Sequence, residues 1–227
     1  MSERRPPQIS SRKQPRQSRS NDLVAAILEA AAQVLKHEGA PRFTTARVAE
    51  RAGVSVGSLY QYFANKQELL EGLLERMALD MTRLIDARMT QLLAADVRTA
   101  VKMLLGEMLA FIRGGDGRYL EVVRHWQQLQ TLRVVDRLEQ HLSEVCRRYL
   151  LRHVREYPIE NPIPVLFVII NGTLMTLVRY LALDNPPLSE EDLIDSLTEM
   201  LAAYLASAAG PRPAHGQLAS EDQRAPA

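Results

Sequence analysis

Cysteine occurs once, at Cys146, so the chain can form no internal disulfide and no cysteine cluster for zinc. Strand signals are equally scarce: alternation of Val, Thr or Tyr with polar residues never runs beyond a few positions, which argues against a sheet-based fold. There is no phosphate-binding glycine loop, no dinucleotide glycine fingerprint and no His-Glu-x-x-His zinc helix, and the five histidines are scattered. Neither an enzymatic activity nor a cofactor nor a bound metal is therefore expected; Gly114-Gly115-Asp116-Gly117 reads as a loop, and His125 beside Trp126 as structural. A long hydrophobic span is also lacking. Residues 161–178 are uncharged, but two prolines, Asn171, Gly172 and two threonines interrupt a stretch already short of the ~20 apolar residues that cross a bilayer. No membrane partner is expected, and an Arg-rich start without an apolar export stretch points to the cytoplasm.

What the sequence does have is helix formers and an asymmetric charge. Ala, Leu, Arg, Glu, Gln and Met dominate, and 46% of residues are hydrophobic, enough to fill a core. The net charge of +1 conceals a split near Lys66: residues 1–66 hold 11 Lys/Arg against 5 Asp/Glu, and the remainder 17 against 22. Such a division suggests one end that meets a polyanion and another that does not. Residues 1–20, with Arg4, Arg5, Arg12, Lys13, Arg16 and Arg19 among Pro, Ser and Gln, read as a disordered basic arm.

From Asn21 an amphipathic rhythm begins. Leu23, Ala26, Ile27, Ala30, Val34 and Leu35 share one helical face, which stops at Gly39 and Pro41. Thr44 or Thr45 caps a second helix ending at Gly53, and Ser55 caps a short third one reaching Phe63. Asn65 and Glu68 form a capping box that opens a long fourth helix over 66–89. Further helices are expected at 96–112, 118–128, 130–156, 162–183 and 189–207, the last well marked by Ser189 followed by three acids in its first turn. The reading is all-α with about nine helices: a first helical domain over 21–66, a second over 67–207, and a loose tail over 208–227.

Residues 45–63 meet each steric demand of a helix-turn-helix. Ala49 is small where two helices cross, Gly53 supplies the backbone angles of the turn, and Val48, Val54 and Leu59 make a miniature core that fixes the crossing. With Phe43-Thr44-Thr45, Ala52-Gly53-Val54-Ser55, Gly57-Ser58-Leu59-Tyr60-Gln61-Tyr62-Phe63 and Asn65-Lys66, the stretch 21–75 strongly resembles the TetR family of bacterial one-component regulators. The resemblance implies a three-helix DNA-binding domain, a linking fourth helix, a helical effector-binding domain and a homodimer. It implies that such a protein is usually a repressor, bound to a palindromic double-stranded operator and released by a small molecule. A DNA-bound adaptor of the same fold, which contacts a protein instead of a small ligand, is the alternative.

The third helix is expected in the major groove. There Val56 can meet a thymine methyl, Gly57 permits close backbone approach, and Tyr60 and Gln61 can reach base edges or adjoining phosphates. Val56 departs from the family, which often has Lys or a polar residue at that position. Ser55 belongs to the same surface, and the resemblance places phosphate contacts at Thr44, Thr45, Ser58, Tyr62 and Lys66. For Tyr62, packing on the first helix is an equal alternative.

Beyond residue 160, the run 163–170 is apolar on every side, which implies a helix buried all round. The resemblance gives the dimer interface to the last two helices, 162–183 and 189–207. For the effector it suggests Met103, Met108, Phe111, Tyr119, Trp126, Phe167, Asn171 and Met175, although a Met or aromatic at helical spacing equally reads as core. Asn171 and Arg179 are polar groups in an apolar helix and need partners. Cys146 reads as a small buried side chain. The fourth helix alone is expected to join the two domains.

Overall fold

The computed structural model describes residues 15–114, 117–124 and 133–209, with residues 15–18 and 133–135 described by their backbone only. Among them are nine α-helices, one 3-10 turn at Ala40–Arg42 and no strand. The helices are α1 (Pro15–Glu38), α2 (Thr45–Ala52), α3 (Val56–Tyr60), α4 (Lys66–Ala94), α5 (Val97–Arg113), α6 (Arg118–Arg124), α7 (Arg133–Arg152), α8 (Pro162–Leu181) and α9 (Glu190–Ala208).

α1 begins at Pro15, earlier than the apolar rhythm suggests. Proline is at ease in a first turn, where its missing N–H has no partner to lose, and the Arg and Gln that follow are good helix formers. Residues 1–14 of the expected arm, 125–132 with His125 and Trp126, and 210–227 of the tail lie outside the described residues. α4 runs to Ala94 rather than 89, because Leu92 extends its buried face into the second domain.

α1, α2 and α3 pack around Ile27, Phe43, Val48 and Leu59, all fully buried. α4 leaves this cluster and crosses the body of the protein, meeting α5 and α7, while α9 packs along α5. Where α4 passes α1 the fit is tight: a Cβ on Gly72 would stand 3.0 Å from Leu28 Cδ2 and 3.0 Å from Phe63 Cε1. Glycine therefore sets how closely the three small helices ride on α4.

Two expectations need correction. α8 is long and apolar enough to cross a membrane by composition, yet it is not buried all round. Val165, Leu166, Ile170 and Leu174 face the core, whereas Ile163, Phe167 and Val168 are 76%, 60% and 54% exposed, so one chain covers only one side of it. Nor does α4 alone join the domains. α6 also touches α1, through an Arg118–Glu29 ion pair, because it packs over the α1–α4 seam.

Candidate nucleic-acid interface

The α2–α3 corner is built by local chemistry. Thr44 Oγ1 accepts from Arg47 N at 3.3 Å and caps α2. Gly53 ends it in the left-handed region at φ 67°, with Gly53 N donating to Glu50 O at 3.2 Å and Val54 N to Ala49 O at 3.0 Å, a Schellman closure. Ser55 Oγ then accepts from Ser58 N at 3.0 Å and starts α3. Val48, Ala49 and Leu59 are sealed between the two helices, with Val54 half-buried beside them.

With Leu59 turned inward, α3 presents Val56, Gly57, Tyr60 and Gln61 to solvent. The hydroxyls of Thr45 and Tyr60 are 3.2 Å apart and hydrogen-bonded, so the start of α2 is tied to the end of α3 on the exposed side. Ser55 and Ser58 hydroxyls meet at 2.8 Å. Lys66 Nζ donates to Ala40 O at 3.2 Å and lies 5.8 Å from the centre of the Phe43 ring. An ammonium has three donors, so an exposed Lys66 keeps capacity for a phosphate oxygen. Tyr62 is half-buried and its hydroxyl accepts from Ser20 Oγ at 3.3 Å, which seats it against α1.

Sequence reasoning passed over Arg47, whose guanidinium holds Glu38 at the end of α1 and Glu50 one turn on, each at 3.0 Å. The i,i+3 pair with Glu50 was readable; the bond to Glu38 depends on the corner itself.

In the second domain the expected effector residues separate. Met108 borders an apolar cavity, whereas Met103 lies at the α4–α5 seam beside Arg88 and Glu107. Phe111 stacks on Tyr119 with ring centres 5.0 Å apart, and Tyr119 Oη donates to Asp80 at 2.8 Å. Phe167 and Met175 are on the exposed side of α8, and Asn171 Nδ2 donates to Phe167 O at 3.1 Å. Arg179 is exposed.

The cavity has two lobes. One, of about 80 Å³, lies among α4, α5, α7, α8 and α9 and is bounded by Leu92, Leu93, Val97 and Tyr149. The other, of about 70 Å³, is bounded by Met108, Leu142 and Thr173. Cys146 stands in the wall they share, and burial pushes its thiol up to about 11, so it is protonated at neutral pH. A separate cleft of about 390 Å³ opens between α1, α4 and α6, lined by Ala25, Ala26, Leu28, Ala32 and Leu73 and edged by the polar groups of Glu29, Arg76, Asp80, Arg118 and Tyr119.

A short helix locked by its inner face to the helix before it, with its outer face free, has the geometry of a major-groove reader. The protein is a helix-turn-helix DNA-binding regulator. The family described as "Bacterial regulatory proteins, tetR family" matches residues 27–73. The nucleoid occlusion factor SlmA of Aliivibrio fischeri (strain MJ11) is 30% identical over 147 residues, 60% of this chain and 73% of that one. The factor of the same name from Vibrio campbellii is 29% identical over 167 residues, covering 67% of this chain and 82% of its own. A TetR-family transcriptional regulator from Streptomyces coelicolor superposes with a TM-score of 0.60 at 27% identity, covering 82% of this chain and 99% of its own. The chain belongs to the TetR family.

Proposed function

We propose that the protein acts as a homodimeric repressor on a palindromic operator and is released by an apolar small molecule held in the second domain. The observation that carries this reading is the position of the cavity. Leu92 and Leu93, near the end of α4, border a space without a charged group, and the first residue of the same helix, Lys66, lies beside the DNA-reading corner. An occupant that spreads the cavity would press on the one helix that runs through both domains. Dimerisation is supported by the exposed apolar side of α8, continued on α9 by Met200 and Tyr204, which are half or more than a third exposed in a single chain. In this reading Thr44, Thr45, Ser55, Ser58 and Lys66 hold phosphates, while Val56, Gly57, Tyr60 and Gln61 face the bases, in the cytoplasm at the nucleoid.

A second reading, a DNA-bound adaptor, is favoured by the likeness to nucleoid occlusion factors and by the cleft between α1, α4 and α6, whose mixture of charged and apolar groups suits a partner segment better than an apolar ligand. One experiment tests the first reading and ranks the two. Genomic fragments bound by the purified protein are selected and footprinted, and release is then titrated with apolar extracts of the growth medium. A near-palindromic footprint with half-sites about 34–36 Å apart, lost on titration, is expected. A single asymmetric footprint would overturn the dimeric reading, and release by a protein fraction alone would favour the adaptor.

A further inference from the structure

Resting on the reading of the cavity as the effector site, we infer that it selects a neutral, largely hydrocarbon molecule carrying one hydroxyl or carbonyl, and that Thr173 Oγ1 is the group that recognises that oxygen. The threonines of α8 and α9 differ in one respect. Thr198 Oγ1 donates to Ile194 O at 2.7 Å, as a helical threonine ordinarily does, and Thr176 Oγ1 likewise donates to Gly172 O at 2.7 Å. Thr173 is 8% exposed, borders the inner lobe, and its Oγ1 has no hydrogen-bond partner. Buried hydroxyls in folded proteins are nearly always satisfied, so one left open at a cavity wall points to a bond made with an occupant.

Water does not meet that need. A buried water requires two to four polar partners, and the lining around Thr173 is otherwise Val, Leu, Met, Ile and the protonated thiol of Cys146. The other hydroxyl at the cavity is already engaged, Tyr149 Oη donating to Ala95 O at 3.1 Å. With no ionised group in the lining, a carboxylate or ammonium would lose its hydration without replacement. Size points the same way. The lobes share Val101, Leu104, Cys146, Ile169 and Leu201, so an occupant that displaced these side chains would join spaces of about 80 and about 70 Å³ into one near the ~150 Å³ that takes a benzene-sized molecule.

The test uses the full chain and three probes of one framework: phenol, toluene and benzoate at neutral pH, titrated calorimetrically, with the melting temperature of each sample recorded. Phenol is expected to bind about fivefold or more tightly than toluene, the scale of one neutral hydrogen bond, and benzoate not at all. Thr173→Val keeps the shape and removes the hydroxyl. It is expected to leave toluene affinity within about twofold, to bring phenol down to the toluene level, and to melt no lower than the native protein, since no internal bond is lost. Thr173→Ser, which keeps the hydroxyl, is expected to retain the preference for phenol, and its loss there would also overturn the role of that oxygen. Equal binding of phenol and toluene, a preference that survives in Thr173→Val, or a clear drop in its melting temperature each overturns the role of Thr173 while leaving the cavity reading in place. Failure of all three probes to bind overturns both.

Discussion

The hydroxyl of Tyr119 donates to the carboxylate of Asp80 across 2.8 Å, fastening α6 to the middle of α4. Asp80 is held in turn by Arg76 at 3.0 Å and Arg83 at 3.1 Å, and the next residue back on α6, Arg118, pairs with Glu29 of α1. α6 therefore bears on both halves of the molecule.

Tyr119→Phe is expected to lower stability by about 1 kcal/mol in denaturant unfolding, a charged hydrogen bond discounted for partial exposure. Burial and the bond to Asp80 push this phenol from 10.0 up to about 12. Since folding raises the pKa, the unfolded chain gives up its proton first. The contribution of Tyr119 is thus complete below about pH 10 and is lost as the pH rises toward about 12. Between about pH 9 and about pH 11 the native chain should lose more stability than Tyr119→Phe. Equal losses would show that this hydroxyl does not titrate as placed.

At the DNA-reading corner, position holders and sequence readers respond differently. Lys66→Ala is expected to weaken binding to all DNA alike and to lower the salt slope by ~1. Gln61→Ala, exposed on α3, should leave the slope intact and cost ~1 to 3 kcal/mol on the best operator only, relaxing preference at one or two base pairs. A shift of preferred operator in Lys66→Ala would mean that α3 sits differently in the groove.

Phe167 is 60% exposed in a single chain, so a charge there costs the protomer little. In a dimer formed through α8 and α9 it would be buried without a partner. Phe167→Glu is expected to sediment as a 25.6 kDa monomer at micromolar concentration where the native protein is a dimer. A variant that stays dimeric would move the interface elsewhere.

Three glycines should give three different outcomes. Gly53→Ala has open space but a φ of 67°, and is expected to cost ~1 kcal/mol or more through the backbone alone. Gly72→Ala gains helix propensity yet meets Leu28 and Phe63, for a net loss on the order of 1 kcal/mol. Gly106→Ala, inside α5 with nothing nearby, should stabilise by about 0.5 to 1 kcal/mol. Thermal melting of the three variants measures the order.

Which of these features the sequence discloses depends on how far apart their parts lie along the chain. Thr44, Ser55, Asn65 and Ser189 are legible because a cap and the N–H it accepts from are three residues apart, and Gly53 because a left-handed turn admits little else. The cavity is not legible. Large Met and aromatic side chains attract notice, but space opens where side chains fail to fill it, and here that is among Val, Leu, Ala and Ile that look like any core. The Tyr119–Asp80 bond spans 39 positions and Arg118–Glu29 spans 89, so only the folded chain brings them together. The start of α1 was hidden for another reason: its first turn is polar on all sides and has no apolar face to declare it.

The close seam at Gly72 removes a joint. With Phe63 and Leu28 close against bare backbone, the DNA-reading head is packed tightly on α4 and is expected to turn with it. At 29 residues that helix is about 43 Å long, so a tilt of about 5° at the cavity end carries the head through roughly 4 Å, about one base-pair step. On the proposed reading the long helix acts as a gear: a small guest at its cavity end would throw the two reading heads of a dimer out of step with the groove.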